Sequence, residues 1–322
     1  MTPALDPVVV ERFRRDCLTL VDTPPAADRP LGIAVSGGPD SMALLALAAA
    51  AFPHAVTAAT VDHRLRSASA DEAALVARWC AQEAVPHKTL VADVEIGGSG
   101  IQAKARALRY RLLANWAEQH AVLATATAHH LDDQAETFLM RAVRGSGIAG
   151  LRGIPARSAA QPAIIRPLLG WRRGELLDLL HAAGVRFADD TSNADPSYER
   201  VRVRQALAEA AWLDPVGLAA SARHLAEVDA ELAAVHALLW RERATSAAGA
   251  ITIDAAALPR ELQRRLALAA ITAVLGRAPA NANVEALLDR LGAGETAAHA
   301  DVIVRMQGTL WLFAKAPSRR SA

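Results

Sequence analysis

The distribution of apolar residues over the first two hundred positions predicts a fold in which strands and helices alternate. Short, continuously apolar runs are typical of strands that are buried on both faces of a parallel sheet. Five such runs occur, at residues 31–35, 55–61, 86–91, 122–128 and 164–169. Segments with helical periodicity lie between them, so this part of the chain is predicted to form an α/β domain with a parallel sheet.

The pattern changes near residue 213, where a second region begins. Its periodicity predicts three helices, a short strand and a hairpin that turns at Gln307 and Gly308. The helices are expected at 216–243, 259–275 and 284–291, the strand at 251–253 and the hairpin at 302–313. We therefore expect two domains, 1–213 and 214–322, of which the second is smaller and mainly helical.

Composition limits the possible functions only in part. No apolar run reaches the roughly 18 residues of a transmembrane helix, and the N-terminus lacks the pattern of a secretory signal. We therefore expect a cytoplasmic protein with no membrane partner. Two isolated cysteines, Cys17 and Cys80, exclude a disulfide framework and a CxxC metal site. A net charge of +1 does not by itself indicate binding to nucleic acid.

The first apolar run ends in the turn Ser36-Gly37-Gly38-Pro39-Asp40-Ser41. Glycines let the backbone approach a ligand closely, and the N–H groups and dipole of the helix that follows favour phosphate. The turn has no lysine, so it is not the GxxxxGK[ST] loop that grips a γ-phosphate. An ordinary tight turn is the alternative. Two hydroxyls and an aspartate between a buried strand and a buried helix favour a nucleotide-binding loop.

A second candidate site follows the fourth apolar run, in the sequence HHLDDQAET at 129–137. Carboxylates in the first turn of a helix favour its dipole, which explains Asp132 and Asp133 but neither the two histidines nor Glu136. Several charges of one sign predict a cation, either Mg²⁺ or an ammonium group. The helix itself is expected to bury an apolar stripe. That stripe comprises Ala135, Phe138, Leu139, Ala142 and Val143.

Arginines recur on two further predicted helices. Arg106 and Arg109 share a face of the first, and Arg200 and Arg204 are one turn apart on the second, which we expect to leave them outside. The second helix is expected to bury Val203, Ala206, Leu207 and Ala210. These arginines are either solvated or in contact with phosphates of ATP or RNA. A glycine-rich loop at 144–153 is expected to be a linker or a cover for the acidic site.

Several of these motifs resemble known families. SGGPDS resembles the PP-loop of the ATP pyrophosphatases, which split ATP into AMP and pyrophosphate to adenylate a substrate. HHLDDQAETFLMRAVRGSGIAGL, VDHRLR, the segment 102–110, RPLL and D-x-S-N-x-D-x-x-Y-x-R make residues 31–204 similar to the tRNA(Ile)-lysidine synthase family. Val201 departs from the family pattern, which has Asn there. The second region resembles the family's C-terminal domain only in position and size.

The resemblance implies a doubly wound, Rossmann-like parallel sheet, with a PP-loop catalytic domain at 1–213 and a tRNA-binding domain at 214–322. It implies ATP and Mg²⁺ as cofactors, and L-lysine and tRNA(Ile) as substrates. The cytosine O2 of the wobble cytidine would attack the α-phosphate of ATP and release pyrophosphate. The lysine ε-amine would then displace AMP at C2. A homodimer is left open.

The resemblance also implies roles for individual residues. Those expected to bind ATP are Ser36, Gly37, Gly38, Pro39, Asp40, Ser41, His63, Arg106 and His129. Asp40 is also the expected Mg²⁺ ligand, and it joins Asp132, Asp133 and Glu136 as the expected catalytic carboxylates. Asp133 and Glu136 are expected to hold lysine. The residues expected to contact tRNA are Arg200, Arg202 and Arg204.

Three other functions compete with this one. A tRNA thiolase of the same superfamily would normally need catalytic or cluster-binding cysteines, and Cys17 and Cys80 fit neither role. A small-molecule adenylating ligase would lack the RGSG and DxSN segments. A non-catalytic nucleotide sensor would not need the acidic cluster.

Overall fold

The structure is a computed structural model that describes residues 5–62, 68–92, 101–188, 197, 199–255 and 257–317, and the side chains at 68, 69, 101 and 102 are not described. The chain divides into two compact units, Met1–Ala226 and Glu227–Ala322. The division falls inside one long helix, α9 (Pro215–Arg243).

Helices and strands alternate through the first unit, as the apolar pattern predicts. In chain order the elements are α1 (Pro7–Leu18), β1 (Leu31–Ala34), α2 (Pro39–Ala51), β2 (Val56–Asp62), α3 (Ala68–Gln82), β3 (His87–Val91), α4 (Ile101–Gln119), β4 (Ala124–Ala126), α5 (Leu131–Val143), α6 (Ile148–Leu151), β5 (Ala163–Ile165), α7 (Arg173–Ala182) and α8 (Glu199–Glu209). All five predicted strands are present.

The five strands form one parallel sheet in the order β3-β2-β1-β4-β5. This order confirms the predicted doubly wound arrangement, because the chain builds outward from β1 in one direction and then in the other. Leu31 of β1 lies opposite Val56 on one side and Ala124 on the other. The order reverses between β1 and β4, and ligands of such sheets bind outside the carboxyl ends of the strands at this point.

The core of this unit surrounds β1 and α2. Leu31 and Ile33 are fully buried, and α2 is buried on nearly every side, which explains why its sequence is too apolar for a surface helix. A smaller cluster around Trp116 and Val122 lies beside the same strand. There the backbone of Gly32 passes close to both side chains.

The second unit contains the predicted helices and an antiparallel sheet. Its elements after α9 are β6 (Ala244–Ala247), β7 (Ala250–Asp254), α10 (Arg260–Leu275), α11 (Glu285–Gly292), β8 (Ala297–His299), β9 (Val302–Gln307) and β10 (Leu310–Lys315). The sheet order is β6-β7-β10-β9-β8. The hairpin pairs Gln307 with Leu310 and turns at Gly308, where φ is 64°. Strands β6 and β8 were not predicted, because they are short and lack an alternating apolar pattern.

Two helices of the first unit bury faces other than those predicted. In α5, Ala135 is buried, but Val143 is 81% exposed and Ala142 is also exposed, while Glu136 and Thr137 are buried instead. In α8, the buried residue is Val201, and Val203, Ala206, Leu207 and Ala210 are partly or fully exposed. The two helices meet through charged side chains, which a search for apolar periodicity does not detect.

None of the helices in the described part of the chain is long and apolar enough to cross a membrane.

The close packing at Gly32 generates a prediction about stability. A Cβ atom there would lie 2.7 Å from Val122 Cγ1 and 2.9 Å from the Trp116 ring. Because overpacking a rigid core costs roughly 1–3 kcal/mol, we expect Gly32→Ala to lower the free energy of unfolding in urea by that amount. Gly170→Ala is the control, since its added methyl group would meet no atom within 4 Å. Equal stability of the two variants would contradict the packing described here.

Candidate active site

The turn after β1 forms a compact loop held by its two serines. The backbone N–H of Ser36 donates to Ser41 Oγ at 3.1 Å, and Ser41 Oγ donates to the carbonyl of Gly38 at 2.9 Å. Gly37 has a φ of +90°, a backbone conformation that residues other than glycine rarely adopt. No described side chain caps the first turn of α2. Its N–H groups are therefore available to an anion.

This loop lines a cavity of about 430 Å³ at the carboxyl ends of β1 and β4. Eight charged side chains of the described residues line its wall. They are Asp40, Glu72, Asp133, Arg106, Arg109, Arg173, Arg200 and Arg204. The cavity lies where the strand order reverses, as expected for the ligand site of a doubly wound sheet. The structure thus brings most of the residues predicted from separate motifs to one place.

His130 connects the loop to the acidic helix. It is 2% exposed, and its imidazole lies 3.6 Å from Asp40, 3.7 Å from Asp132 and 3.6 Å from Asp133. Burial alone would lower the pKa of His130, but the three surrounding carboxylates, Asp40 first among them, raise it above its usual value. His130 is also the N-cap of α5, where it exchanges hydrogen bonds with Asp133.

Asp132 is bound by the start of α7. Its carboxylate accepts hydrogen bonds from Arg172 Nε at 3.0 Å and from the backbone N–H of Arg173 at 2.8 Å. Burial alone would raise the pKa of Asp132, but these two donors lower it below its usual value. Asp132 is absent from the cavity wall. It therefore anchors α7 next to the loop.

Glu136 is 1% exposed and is neutralised by α8. Arg204 Nε donates to Glu136 Oε1 at 2.7 Å, and Arg200 Nε lies 3.2 Å from Oε2. Arg200 also donates to Thr137 Oγ1 at 3.1 Å. The prediction that α8 leaves both arginines outside is therefore only partly right, because their side chains are 43% and 32% exposed but both turn towards Glu136. Buried Glu136 draws them inward because an unpaired buried carboxylate would be costly.

Asp133 remains as the acidic residue of α5 that faces the cavity. One of its oxygens accepts the backbone N–H of His130 at 3.1 Å. Within the described ranges, the His130 imidazole lies 3.6 Å from Asp133, and no arginine pairs with this carboxylate. We expected the acidic cluster to bind a cation from outside the protein. Arginines already pair with Asp132 and Glu136, so Asp133 is the carboxylate of the cluster that is still suited to bind one.

The other predicted ligand residues differ in position. His129 lines the cavity, where Thr127 Oγ1 lies 3.0 Å from its Nδ1, and burial lowers its pKa to about 4. Arg106 lines it too, with its guanidinium 5.0 Å from the centre of the Tyr110 ring. Arg202 is exposed on α8 and does not line it. His63 and most of the DxSNxD segment lie outside the described residues.

The glycine-rich loop at 144–153 is tied to α5. Arg141 donates to the carbonyls of Gly150 at 2.7 Å and Gly153 at 2.9 Å. The Gln134 amide pairs with both backbone groups of Ile154, each at 2.7 Å. This loop contributes nothing to the cavity wall. Its connection to α5 is structural.

Asp40 offers a position suited to Mg²⁺. Its Oδ1 is buried and accepts no hydrogen bond in the described structure, and it lies at the edge of a phosphate-binding loop. The described residues contain no cluster of three histidines, cysteines or acids that could hold a metal. This fits Mg²⁺, which is usually held by one or two carboxylates together with substrate phosphates and water.

Sequence reasoning missed two residues of this site. The sequence predicts a ligand role for His129 and none for His130, because histidine is not among the residues that signal an N-cap. Arg173 belongs to α7, far along the chain, and no motif linked it to the loop. It lines the cavity, and its Nε lies 3.8 Å from Asp40 Oδ1.

The fold and the loop together define an ATP-binding domain of the PP-loop type. A family model described as a PP-loop domain matches residues 10–211, which is more than half of the chain. The solved structure of the U34-tRNA thiolase from Methanococcus maripaludis shares this fold, with a TM-score of 0.53 at 15% identity over 69% of this chain and 80% of that one.

Two similar proteins define the relationship more narrowly. A tRNA(Ile)-lysidine synthase from Novosphingobium aromaticivorans is 43% identical over 293 residues, which cover 90% of each chain. A tRNA(Ile)-lysidine synthase from Zymomonas mobilis is 40% identical over 299 residues, covering 91% of this chain and 90% of that one. This chain belongs to the tRNA(Ile)-lysidine synthase family.

The environment of His130 predicts a pH-dependent contribution to stability. Its raised pKa means that the folded state binds the proton more tightly than the unfolded state. The stabilisation is therefore full below the unfolded pKa of about 6.5 and is lost as the pH rises through the folded pKa. His130→Asn keeps an N-cap side chain but removes the cation. We expect urea unfolding to show a loss of stability that is largest near pH 6 and shrinks as the pH is raised.

The exposed His224 supplies the control, since His224→Gln should change stability equally little at every pH. A loss in His130→Asn that grows with rising pH would contradict the charge assignment.

Proposed function

We propose that this protein is an ATP-dependent ligase that joins L-lysine to C2 of the wobble cytidine of tRNA(Ile), forming lysidine. Membership of the family supports the reaction. The observation that carries the assignment of residues is one cavity that combines the PP-loop with Asp133 and a set of arginines. The loop proposed for adenylation and the carboxylate proposed to bind an ammonium group would therefore act in the same cavity.

In the first step, the cytidine O2 would attack the α-phosphate of ATP. The backbone N–H groups and hydroxyls of Ser36–Ser41 would hold the phosphates. Asp40 would hold Mg²⁺, which supplies neutralisation of the phosphate charge when bound. His130 would keep Asp40 oriented through its 3.6 Å contact. His129, whose pKa is about 4, would stay neutral beside the nucleotide.

In the second step, the ε-amine of lysine would displace AMP from C2. Asp133 is the carboxylate that fits this amine best, because it faces the cavity and has no arginine partner among the described residues. A charged lysine must lose a proton before it attacks, and a neighbouring carboxylate is able to accept one. Glu136 would act differently, by holding Arg200 and Arg204 in the cavity wall.

The tRNA would lie on both parts of the chain. Arg202 is exposed on α8, next to the two arginines that turn into the cavity, so it is suited to a phosphate outside the active site. We assign the rest of the tRNA contact to the C-terminal region, with 214–322 as the proposed tRNA-binding domain. This assignment rests on its position and size within the family.

The two cysteines argue against a thiolase activity. Sulfur transfer uses a thiolate, but burial raises the pKa of Cys80 to about 12 and raises the pKa of Cys17 further. Neither cysteine lines the cavity. The cysteines therefore do not support sulfur transfer, whereas the carboxylates and arginines of the cavity support ligation.

The proposed reaction predicts a specific substrate dependence. We expect pyrophosphate release from ATP to require tRNA(Ile), and radiolabelled lysine to enter the tRNA in equal amount. Both products are measured in one reaction mixture, with a tRNA whose wobble base is not cytidine as the control. Pyrophosphate release without tRNA, driven by a small molecule, would contradict the proposal.

The assignment of Asp133 predicts a selective loss of lysine binding. A hydrogen bond to a charged group contributes about 1.5–3 kcal/mol, so Asp133→Asn should raise the KM for lysine by roughly 10- to 100-fold. The KM for ATP should change much less. Asp178→Asn, at an exposed carboxylate of α7, is the control. If Asp133→Asn weakens ATP and leaves lysine unaffected, Asp133 serves the nucleotide instead.

The exposure of Arg202 predicts an effect on RNA binding alone. Each phosphate contact with single-stranded RNA contributes about 0.7 to the slope of log affinity against log salt. We expect Arg202→Ala to reduce that slope by about this amount while pyrophosphate release at saturating tRNA stays unchanged. Arg186→Ala, at another exposed arginine of the same unit, should leave the slope as it is. An unchanged slope in Arg202→Ala would remove it from the interface.

A further inference from the structure

The arginines of the cavity differ in how firmly they are held. Arg200 and Arg204 are paired with buried Glu136. Arg106 donates to Tyr110 at 3.1 Å and stacks on the same ring. Arg173 stands apart. Its side chain contacts another charge at Asp40 Oδ1, 3.8 Å from Nε, which is too long for a hydrogen bond.

Both atoms of this contact lack a hydrogen bond. Arg173 Nε and Asp40 Oδ1 are buried polar atoms with no partner in the described structure. Leaving two such atoms without hydrogen bonds costs free energy. A ligand that pairs with both atoms would recover that free energy on binding. A cation at Asp40 and an anion at Arg173 would do so together.

The backbone of Arg173 is fixed even though its guanidinium is loosely held. Its N–H donates to Asp132 Oδ2 at 2.8 Å, and the preceding N–H, of Arg172, donates to Glu175 Oε2 at 2.8 Å. Asp132 is in turn bound by the Arg172 side chain. A side chain that starts from a rigid helix end and lines the cavity is well placed to engage a ligand there.

The chemistry of the proposed first step calls for a cation at this position. The loop has no lysine, so its own phosphate donors are uncharged N–H and hydroxyl groups. Pyrophosphate leaves with the electron pair of the broken bond and carries more charge than it did within ATP. A guanidinium donates two parallel hydrogen bonds to phosphate oxygens, and charge that develops during a reaction is stabilised best by donors fixed in advance.

We propose that Arg173 is a further catalytic residue, whose guanidinium binds the β- and γ-phosphates of ATP and stabilises the departing pyrophosphate. This rests on the proposed adenylation. In that step a bond forms between the cytidine O2 and the α-phosphorus. The bond between the α-phosphorus and the oxygen that bridges it to the β-phosphorus breaks. The electron pair leaves with pyrophosphate, which Arg173 contacts. Asp40, whose Oδ1 lies 3.8 Å from Arg173 Nε, would hold the Mg²⁺ that neutralises phosphate charge beside it.

Direct binding of inorganic pyrophosphate with Mg²⁺ tests the proposal without any tRNA. By titration calorimetry on the full chain, we expect Arg173→Gln to weaken pyrophosphate binding about 10- to 100-fold, in line with the loss of a charge-assisted hydrogen bond. Arg173→Lys should restore part of the binding, since lysine carries the positive charge but cannot donate the two parallel hydrogen bonds of a guanidinium. Arg186→Gln is the matched control and should bind as the unmodified protein does.

The same variant should slow tRNA-dependent pyrophosphate release by about 10²- to 10³-fold, the effect of removing one such donor, with the KM for lysine unchanged. Its urea midpoint should stay the same, because the backbone N–H that binds Asp132 is kept. Pyrophosphate binding equal to that of the unmodified protein would overturn the proposal. A shifted midpoint with binding that Arg173→Lys does not restore would also overturn it, by showing a structural role.

The two proposals fail in different ways. If the unmodified chain releases no pyrophosphate with tRNA(Ile), the proposed function fails, while the calorimetric comparison still decides the role of Arg173. If the unmodified chain modifies tRNA and Arg173→Gln does so at the same rate, Arg173 is excluded and the proposed function stands.

Discussion

The arrangement of the active site depends on the contact of one buried imidazole with three carboxylates. Asp40 belongs to the loop after β1, and Asp132 and Asp133 belong to the helix after β4. Without a cation between them, these groups would repel one another across the point where the strand order reverses. His130 lies between them: the carboxylates raise its pKa and so favour its protonated form, and in the neutral form its Nδ1 accepts the N-cap hydrogen bond of α5. The two motifs are therefore held together by a residue that is part of the second.

The helices that surround the cavity are joined by charge as much as by apolar contact. Asp132 binds the start of α7, and Glu136 binds α8 through Arg200 and Arg204. Breaking a buried pair by removing one partner is strongly destabilising, because it leaves the other charge uncompensated. Asp132 and Glu136 thus each determine where one neighbouring helix lies, whereas Asp133 faces the cavity without an arginine partner among the described residues.

The sequence predicted the sheet, the loop and the acidic helix because each leaves a local pattern. Five apolar runs marked the strands, and the glycines with Asp40 marked the phosphate site. It failed where contacts join distant segments through charge. The inward turn of Arg204 depends on Glu136, 68 positions earlier, and apolar periodicity carries no information about such a pair. Arg173 was missed for the same reason, because its relation to Asp40 exists only after folding.

The distribution of charge differs between the whole chain and the cavity. The chain carries a net charge of +1, but the cavity wall has five arginines against Asp40, Glu72 and Asp133. The excess is therefore local, and a cleft of one sign raises the concentration of an oppositely charged ligand near it. Glu136, which pairs with two of these arginines, offsets one of the positive charges. Five arginines against these four carboxylates leave a small positive excess, and Arg173 brings part of it to the PP-loop beside Asp40.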